Sequence, residues 1–111
     1  MSPQLIYSVQ AELCRTMGNA ARLEIVHLLQ SGPMHVGDMA RALGLSQATV
    51  SRHVSALRNA GIVMSERKKE GIFYRIANTK IVKVCELMRE ILSEESARRA
   101  QIGVAIHDAD E

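Results

Sequence analysis

The strongest constraint on the fold is a pair of helical sequence patterns that are separated by only two residues, Gly44 and Leu45. The first pattern covers residues 36–43 and ends at Gly44, because glycine readily adopts the backbone conformation of a helix C-terminal cap. The second pattern begins at Ser46, a favourable N-cap, and keeps an apolar stripe in helical register until Gly61. Two helices joined by so short a glycine-containing turn predict a helix-turn-helix unit.

The second helix of this unit has an apolar stripe and an unusual polar face. The stripe consists of residues three or four positions apart, namely Val50, Val54 and Leu57. No glutamate or lysine occurs in residues 45–60, where a merely solvated helix usually has several. Because such a helix can enter the major groove with its N-terminal residues against base edges, we expect a DNA surface formed by Ser46, Gln47, Thr49, Ser51, Arg52 and His53.

Two residues of this surface are the best candidates for base contacts. Arginine suits the edge of guanine and glutamine suits that of adenine, which points to Arg52 and Gln47. We expect Ser46 to position the helix rather than to read a base. The alternative is an ordinary amphipathic helix whose polar side only faces water.

After Gly61 the apolar spacing changes from helical to alternating, which predicts two strands over residues 62–69 and 72–77, joined through residues 70–71. The hairpin is basic, and its candidate DNA contacts are Arg67, Lys68, Lys69, Tyr74 and Arg75. One alternative is that the charged residues only protect an edge hairpin from aggregation. For Tyr74, the alternative is that its side chain packs into the core.

The flanking sequence completes a winged helix-turn-helix that is mainly α with a small β-hairpin (α+β). Helical patterns cover residues 3–17, a stretch after the N-cap Asn19, and residues 78–95, so the order is four helices, two strands and a last helix. Aromatic residues make up 3% of the chain, so the core must be aliphatic. We expect one domain over residues 1–95 and a polar tail over residues 96–111 that is partly disordered or extends the last helix.

Charge and motifs narrow the function class. Residues 35–75 carry seven Lys or Arg against three Asp or Glu, whereas residues 76–111 carry five against seven. A basic middle is typical of nucleic-acid binding. The sequence has no glycine-rich phosphate loop, HExxH or GxSxG motif, which argues against an enzyme. No signal peptide or membrane span is recognisable, so we expect a cytoplasmic protein.

Three motifs together resemble the ArsR/SmtB family of small bacterial winged-helix repressors, and the likeness covers about residues 5–95. They are the small-residue-Arg-Leu opening in "GNAARLEIV", the unit "GDMARALGLSQATVSRHVSALRNAGIV" and the wing "EGIFYRI". The resemblance implies a homodimer formed by the first and last helices, inverted-repeat operator DNA, and release of that DNA when an inducer binds. Independently, those two helices carry more apolar surface than one small core requires. A winged helix used only for protein docking remains the alternative.

The resemblance also directs the search for a sensing site. Members with an arsenic site carry Cys-x-Cys in the third helix, where this chain reads "HVGDMARAL", and members with a zinc site carry histidine on the last helix, where residues 78–95 have none. Cys14 and Cys85 remain, on the two helices that are expected to meet at the dimer interface. We expect them to sense a thiol-reactive signal, a persulfide or an oxidant.

Other interpretations of these cysteines stay open. Persulfide and oxidant sensors of the family have their second cysteine at the position of Cys85, but their first falls where this chain has His27. As an alternative, Cys14 and Cys85 bind arsenite or another soft metal ion. Such ions favour three or four donors, so the site would have to recruit His27 or the partner subunit. The cysteines also suit a purely structural role. A weak metal site in the tail, at His107 with Asp108 and Asp110, is a further candidate.

Overall fold

The structure is a computed structural model that describes the backbone of residues 1–110 and the side-chain surroundings of residues 1–101. Within these residues the chain forms five helices and three strands. In chain order they are α1 (Pro3–Met17), α2 (Ala20–Leu29), β1 (Met34–His35), α3 (Val36–Leu43), α4 (Gln47–Asn59), β2 (Val63–Lys68), β3 (Gly71–Ile76) and α5 (Lys80–Asp110).

The helix caps predicted at Asn19, Gly44 and Ser46 are confirmed, and Ser2 caps α1 in the same way. Ser2, Asn19 and Ser46 each accept a hydrogen bond, at 3.1 Å in every case, from the backbone N–H three residues further on. These bonds satisfy N–H groups that have no partner inside the helix. Gly44 ends α3 with φ of 68°, a left-handed conformation that favours glycine. The local signals around the helix-turn-helix therefore set its boundaries.

The core lies between α2, α3, α4 and the start of the hairpin, and it is aliphatic as expected. The largest fully buried side chains are Ile25, Val26, Leu29, Met39, Val50, Val54, Leu57 and Val63. They include the whole predicted stripe of α4, whose burial fixes the rotation of that helix about its own axis. The outward face of α4 is therefore determined by its apolar residues.

The three strands form one antiparallel sheet in the order β1-β3-β2. β2 and β3 are the predicted wing, with Lys68 opposite Gly71 at its tip. β1 was not predicted, because a two-residue strand is too short to show the alternation that identifies strands. It pairs Met34 with Tyr74 and His35 with Phe73, and so joins the base of the wing to the start of α3.

α5 continues well past residue 95, where its apolar spacing fades, and reaches Asp110. The residues that follow directly, "SARRAQ", include alanine, arginine and glutamine, which are strong helix formers, but they carry no apolar stripe. Arg98 and Arg99 both bond the carboxylate of Glu95, one turn earlier on the helix. None of the described helices combines the length and the apolar run that a transmembrane helix needs.

An apolar surface on α1 and α5 is left uncovered in the single chain. Tyr7, Ile91 and Leu92 are 71%, 61% and 65% exposed. The other exposed members are Leu5, Ile6 and Val9 on α1 and Val84, Leu87 and Met88 on α5. We call these nine residues the apolar surface. The α5 members recur three and four residues apart and so share one face of the helix, and grouped exposed apolar side chains of this kind are typical of interaction sites.

Candidate nucleic-acid interface

The N-terminal half of α4 presents a polar surface to solvent. Five predicted residues lie there and are called the reading face: Ser46, Gln47, Thr49, Ser51 and Arg52. Thr49 is half-buried and the other four are exposed. The opposite side of α4 is packed into the core, so this side of the helix faces solvent. This geometry suits entry into the major groove, which is wide enough for one helix.

A chain of hydrogen bonds braces Arg52 along its own helix. Ser46 Oγ donates to Thr49 Oγ1 at 2.9 Å, and Arg52 Nη2 donates to the same oxygen at 3.3 Å. Ser46 Oγ in turn accepts the N–H of Thr49. A guanidinium has five N–H donors, and one of them serves this bond among the described contacts. Arg52 is thus held near the helix start with donors left for a base edge.

Gln47 lies where α4 approaches the first turn of α3. A Cβ built at Gly37 would stand 3.3 Å from Gln47 Nε2 and 3.7 Å from a guanidinium nitrogen of Arg41. Arg41 is itself paired with Asp38 on the same helix. The absence of a side chain at Gly37 therefore permits this close approach. The position of Gln47 depends on both helices of the unit.

His53 has a different environment from the residues of the reading face. Its side chain is half-buried, and Nδ1 accepts a hydrogen bond from Arg22 Nε at 3.2 Å. Burial, together with the positive charges of Arg22 and Arg52, holds the pKa of His53 below its ordinary value. His53 was predicted as part of the DNA surface. In the structure it lies beside α2, and its Nδ1 is already engaged by Arg22.

The tip of the wing is basic and exposed. Arg67, Lys68 and Lys69 all lie in solvent there. Lys68 Nζ stands 5.1 Å from the centre of the Phe73 ring and 3.9 Å from Glu66 Oε2. Contacts of this kind are weak on an exposed surface, so Lys68 can exchange them for a phosphate oxygen at little cost. The tip has the chemistry of a phosphate-binding element.

Tyr74 and Arg75 do not lie at this tip. Tyr74 is half-buried and packs against the core, which is the alternative that strand alternation offered. Arg75 lies opposite Met64 near the base of the wing, and its Nη1 donates to the carbonyl of Ile76 at 3.4 Å. It lines a cleft of about 420 Å³ between the wing, α2 and α5. Tyr74 and Arg75 therefore lie apart from the three exposed basic residues of the tip.

His35 joins the helix-turn-helix to the wing, a role that was not predicted. Its Nδ1 accepts the N–H of Gly37 at 3.1 Å and so caps α3. Its ring meets Phe73 edge-on, with ring centres 5.8 Å apart and planes at 71°. The sequence signal was a histidine directly before the third helix, but its wing partner lies far along the chain. His35 fixes the wing beside the reading unit.

Comparison with known proteins agrees with this geometry. Residues 19–65 match the family described as bacterial regulatory protein, arsR family. The biofilm growth-associated repressor of Agrobacterium fabrum (strain C58) is 36% identical over 81 residues, which are 73% of this chain and 69% of that protein. The chain belongs to the ArsR family.

Two further relatives of this ArsR-family protein come from other bacteria. The transcriptional activator HlyU of Vibrio cholerae is 30% identical over 79 residues, 71% of this chain and 73% of that protein. The solution structure of the homodimeric winged helix-turn-helix DNA-binding domain of Mb0332 from Mycobacterium bovis superposes with a TM-score of 0.76 at 27% identity, covering 85% of this chain and 89% of that one. The ArsR-family chain is therefore a DNA-binding transcriptional regulator and not an enzyme.

The two cysteines of this ArsR-family chain have opposite environments. Cys14 on α1 is exposed, whereas Cys85 on α5 is buried against the core. Burial raises the pKa of the Cys85 thiol, and the positive charge of Arg89 opposes this effect. Arg15, the residue after Cys14 on α1, is paired with Glu12. The accessible thiol is that of Cys14.

The candidate metal ligands are not gathered within one chain. Among the described residues, no group of three or more His, Cys, Asp or Glu side chains is placed to hold a metal ion. His27 is exposed and lines a shallow cavity of about 290 Å³ with Leu23, Glu24 and Arg89. Cys14, Cys85 and His27 therefore form no single-chain soft-metal site. The tail candidates, His107, Asp108 and Asp110, lie outside the residues whose side chains are described.

Proposed function

We propose that this regulator works as a homodimer that binds inverted-repeat operator DNA, with one α4 in each half-site. The observation that carries the proposal is the combination of an exposed polar reading face with a large apolar surface on α1 and α5. A twofold dimer buries the same surface of both subunits at once. It also presents two recognition helices to a palindrome, in half-sites about 34 Å apart.

In this proposal some residues contact base edges and others contact the DNA backbone. Arg52 and Gln47 read base edges, while Ser46, Thr49 and Ser51 approach the backbone near the N-terminus of α4, where free N–H groups favour phosphate oxygens. Arg67, Lys68 and Lys69 hold phosphates or the minor groove beside each half-site. The exposed basic tip of the wing supports the second part.

We propose repression as the direction of control, because the relative with 36% identity is named a repressor. A dimer bound across a promoter in the cytoplasm then blocks transcription until an inducer lowers its affinity for the operator. Such an inducer must favour the unbound conformation of the dimer, because a ligand that binds both states equally changes nothing.

For the inducer we propose a thiol-reactive signal that first meets Cys14. An oxidant converts the Cys14 thiolate to a sulfenic acid, which condenses with a second thiol to a disulfide and releases water. A persulfide RSSH instead transfers its outer sulfur to the Cys14 thiolate and releases the thiol RSH. A second persulfide molecule is the oxidant that joins this Cys14 persulfide to the second thiol through the extra sulfur, with release of another RSH and of hydrogen sulfide. If Cys85 is the second thiol, it must leave the core, so the bond requires α5 to move. Movement of a dimer helix would change the distance between the two recognition helices.

Arg52→Ala tests the reading face. We expect the variant to lose about 10- to 100-fold in discrimination between operator and random duplex, because an arginine–guanine pair contributes about 1–3 kcal/mol. Its affinity for random duplex should fall much less. The operator is first selected from a random-sequence duplex pool, and affinities are then measured by fluorescence anisotropy at several salt concentrations.

Arg58→Ala is the matched control, since Arg58 is also exposed on α4 but lies in its last turn. Equal losses of discrimination in both variants would contradict the assignment of the reading face. Wild-type protein that binds no duplex at low salt would refute DNA binding altogether.

Alkylation rates test the thiol proposal. Cys14 should react with iodoacetamide at least about tenfold faster than Cys85 in the folded protein, because only the exposed thiolate is accessible. Both should react alike after denaturation. Intact-mass and peptide-mass spectrometry measure the two alkylation rates. DNA-binding assays of Cys14→Ser and Cys85→Ser show whether each thiol is needed for operator release. Operator release by persulfide or peroxide in both variants would exclude thiol sensing.

A further inference from the structure

Arg22 connects the helix that we assign to the dimer with the helix that reads DNA. We propose that Arg22 is a positioning residue: it ties α4 to α1 and so sets where the reading face stands relative to the dimer. The inference rests on the proposed function, because a fixed distance between recognition helices matters only to a protein that uses two of them.

Three hydrogen bonds converge on Arg22, which is half-buried at the start of α2. Its Nη1 donates to the carbonyl of Thr16 in the last turn of α1 at 3.1 Å. Its Nε donates to His53 Nδ1 on α4 at 3.2 Å. Its own backbone N–H is held by the Asn19 cap at 3.1 Å. One side chain therefore bonds α1 and α4 while its backbone is anchored at the beginning of α2.

An open groove of about 620 Å³ separates α1 from α4 beside this connection. Thr16 lines the α1 wall, and Ala56 and Asn59 line the α4 wall. His53 lies one turn before Ala56 and thus on the same side of α4. Since the groove leaves part of the two helices without mutual packing, the side chain of Arg22 is a direct link between them.

Arginine suits both acceptors. The carbonyl of Thr16 lies at the C-terminal end of α1, where the helix dipole favours a positive charge. The His53 nitrogen accepts only when it carries no proton, so this hydrogen bond requires a neutral ring with its proton on Nε2. The lowered pKa of His53 is consistent with that state. A lysine offers one compact ammonium in place of the planar fork that reaches two acceptors.

A different role for Arg22 would be direct contact with a DNA phosphate. The two roles predict different results. A phosphate contact depends on charge, so lysine would replace arginine and removal of the charge would reduce the salt dependence of binding by about one counterion. A positioning link depends on geometry, so lysine would fail and the salt dependence would stay unchanged.

Arg22→Lys and Arg22→Gln test the inference, with inverted-repeat duplexes whose half-site spacing is varied by one base pair in each direction. We expect both variants to bind the best operator about tenfold more weakly. We also expect them to lose most of the wild-type preference for one spacing, because loosely held recognition helices accept several. Salt dependence and the dimer mass in sedimentation should match wild type. Thermal unfolding shows that each variant is folded at the assay temperature.

His53 provides the second test, independent of the charge at position 22. His53→Asn keeps an acceptor oxygen near the place of Nδ1, whereas His53→Leu does not. The asparagine variant should retain the spacing preference and the leucine variant should lose it. The double variant His53→Leu/Arg22→Gln should lose little more operator affinity and spacing preference than either single variant, because both changes break the same link. Nitrogen NMR of the imidazole should report a neutral ring protonated at Nε2.

The outcomes separate this inference from the function on which it rests. If wild-type protein binds no inverted repeat, the proposed function fails. If wild-type protein binds with a sharp spacing preference and Arg22→Lys behaves identically, the positioning role is overturned while the regulator stands. If Arg22→Gln reduces the salt dependence of binding and Arg22→Lys binds like wild type, Arg22 contacts a DNA phosphate and the positioning role is wrong.

Discussion

Ile91→Glu on α5 is expected to give a folded monomer that binds the inverted repeat at least about 100-fold more weakly than wild type, since joining two reading units increases avidity by roughly 10²–10⁴-fold. Ile91 is 61% exposed in the single chain, so a carboxylate there does not disturb the core. In a twofold interface the new charge occurs on both subunits and is buried without a partner. Sedimentation velocity and operator binding measure the two effects together.

Ser93→Glu is the matched control for this prediction. Ser93 is exposed on α5 and, at about 100° per residue, lies on the side opposite the middle of the apolar surface. The same charge at Ser93 should leave both the dimer and operator affinity within about twofold, because an exposed charge substitution has little effect on stability. If Ile91→Glu remains a tight dimer, the α5 part of the apolar surface is not the interface.

The helix-turn-helix was predictable because its signals are local. Gly44 and Ser46 mark the turn, and the spacing of Val50, Val54 and Leu57 determines which way α4 faces. Once the buried side is known, the reading face follows from its sequence neighbours. The alternating pattern after Gly61 likewise predicted the two strands of the wing to within one residue at each end.

What the sequence did not reveal depends on residues that are distant along the chain. Arg22 and His53 are 31 positions apart, and nothing at either position indicates the other. His35 and Phe73 meet only because β1 pairs with β3. The sequence does not show whether Tyr74 faces the core or solvent, because that depends on the register of β3 in the sheet. A pattern along one strand or helix predicts which face is buried, but not which neighbour covers it.

Leu57→Ala carries the second large expected effect, a loss of about 2–5 kcal/mol in the free energy of unfolding, because it leaves a cavity in a packed core. Leu57 is fully buried beneath the reading face on α4. Leu57→Met keeps most of the side-chain volume and should lower the free energy of unfolding by less than about 1.5 kcal/mol. Denaturant unfolding at one fixed protein concentration measures both, since dimer formation adds to the apparent stability.

The two classes of α4 residue should then differ in how they lose DNA binding. A core variant such as Leu57→Ala binds less operator because fewer molecules are folded, so its binding should rise as the folded fraction is restored at lower temperature or denaturant concentration. Its preference for operator over random duplex should persist among the folded molecules. Arg52→Ala should show the reverse, with full folding and lost preference. Equal behaviour of the two variants would contradict the division of α4 into a buried stripe and a reading face.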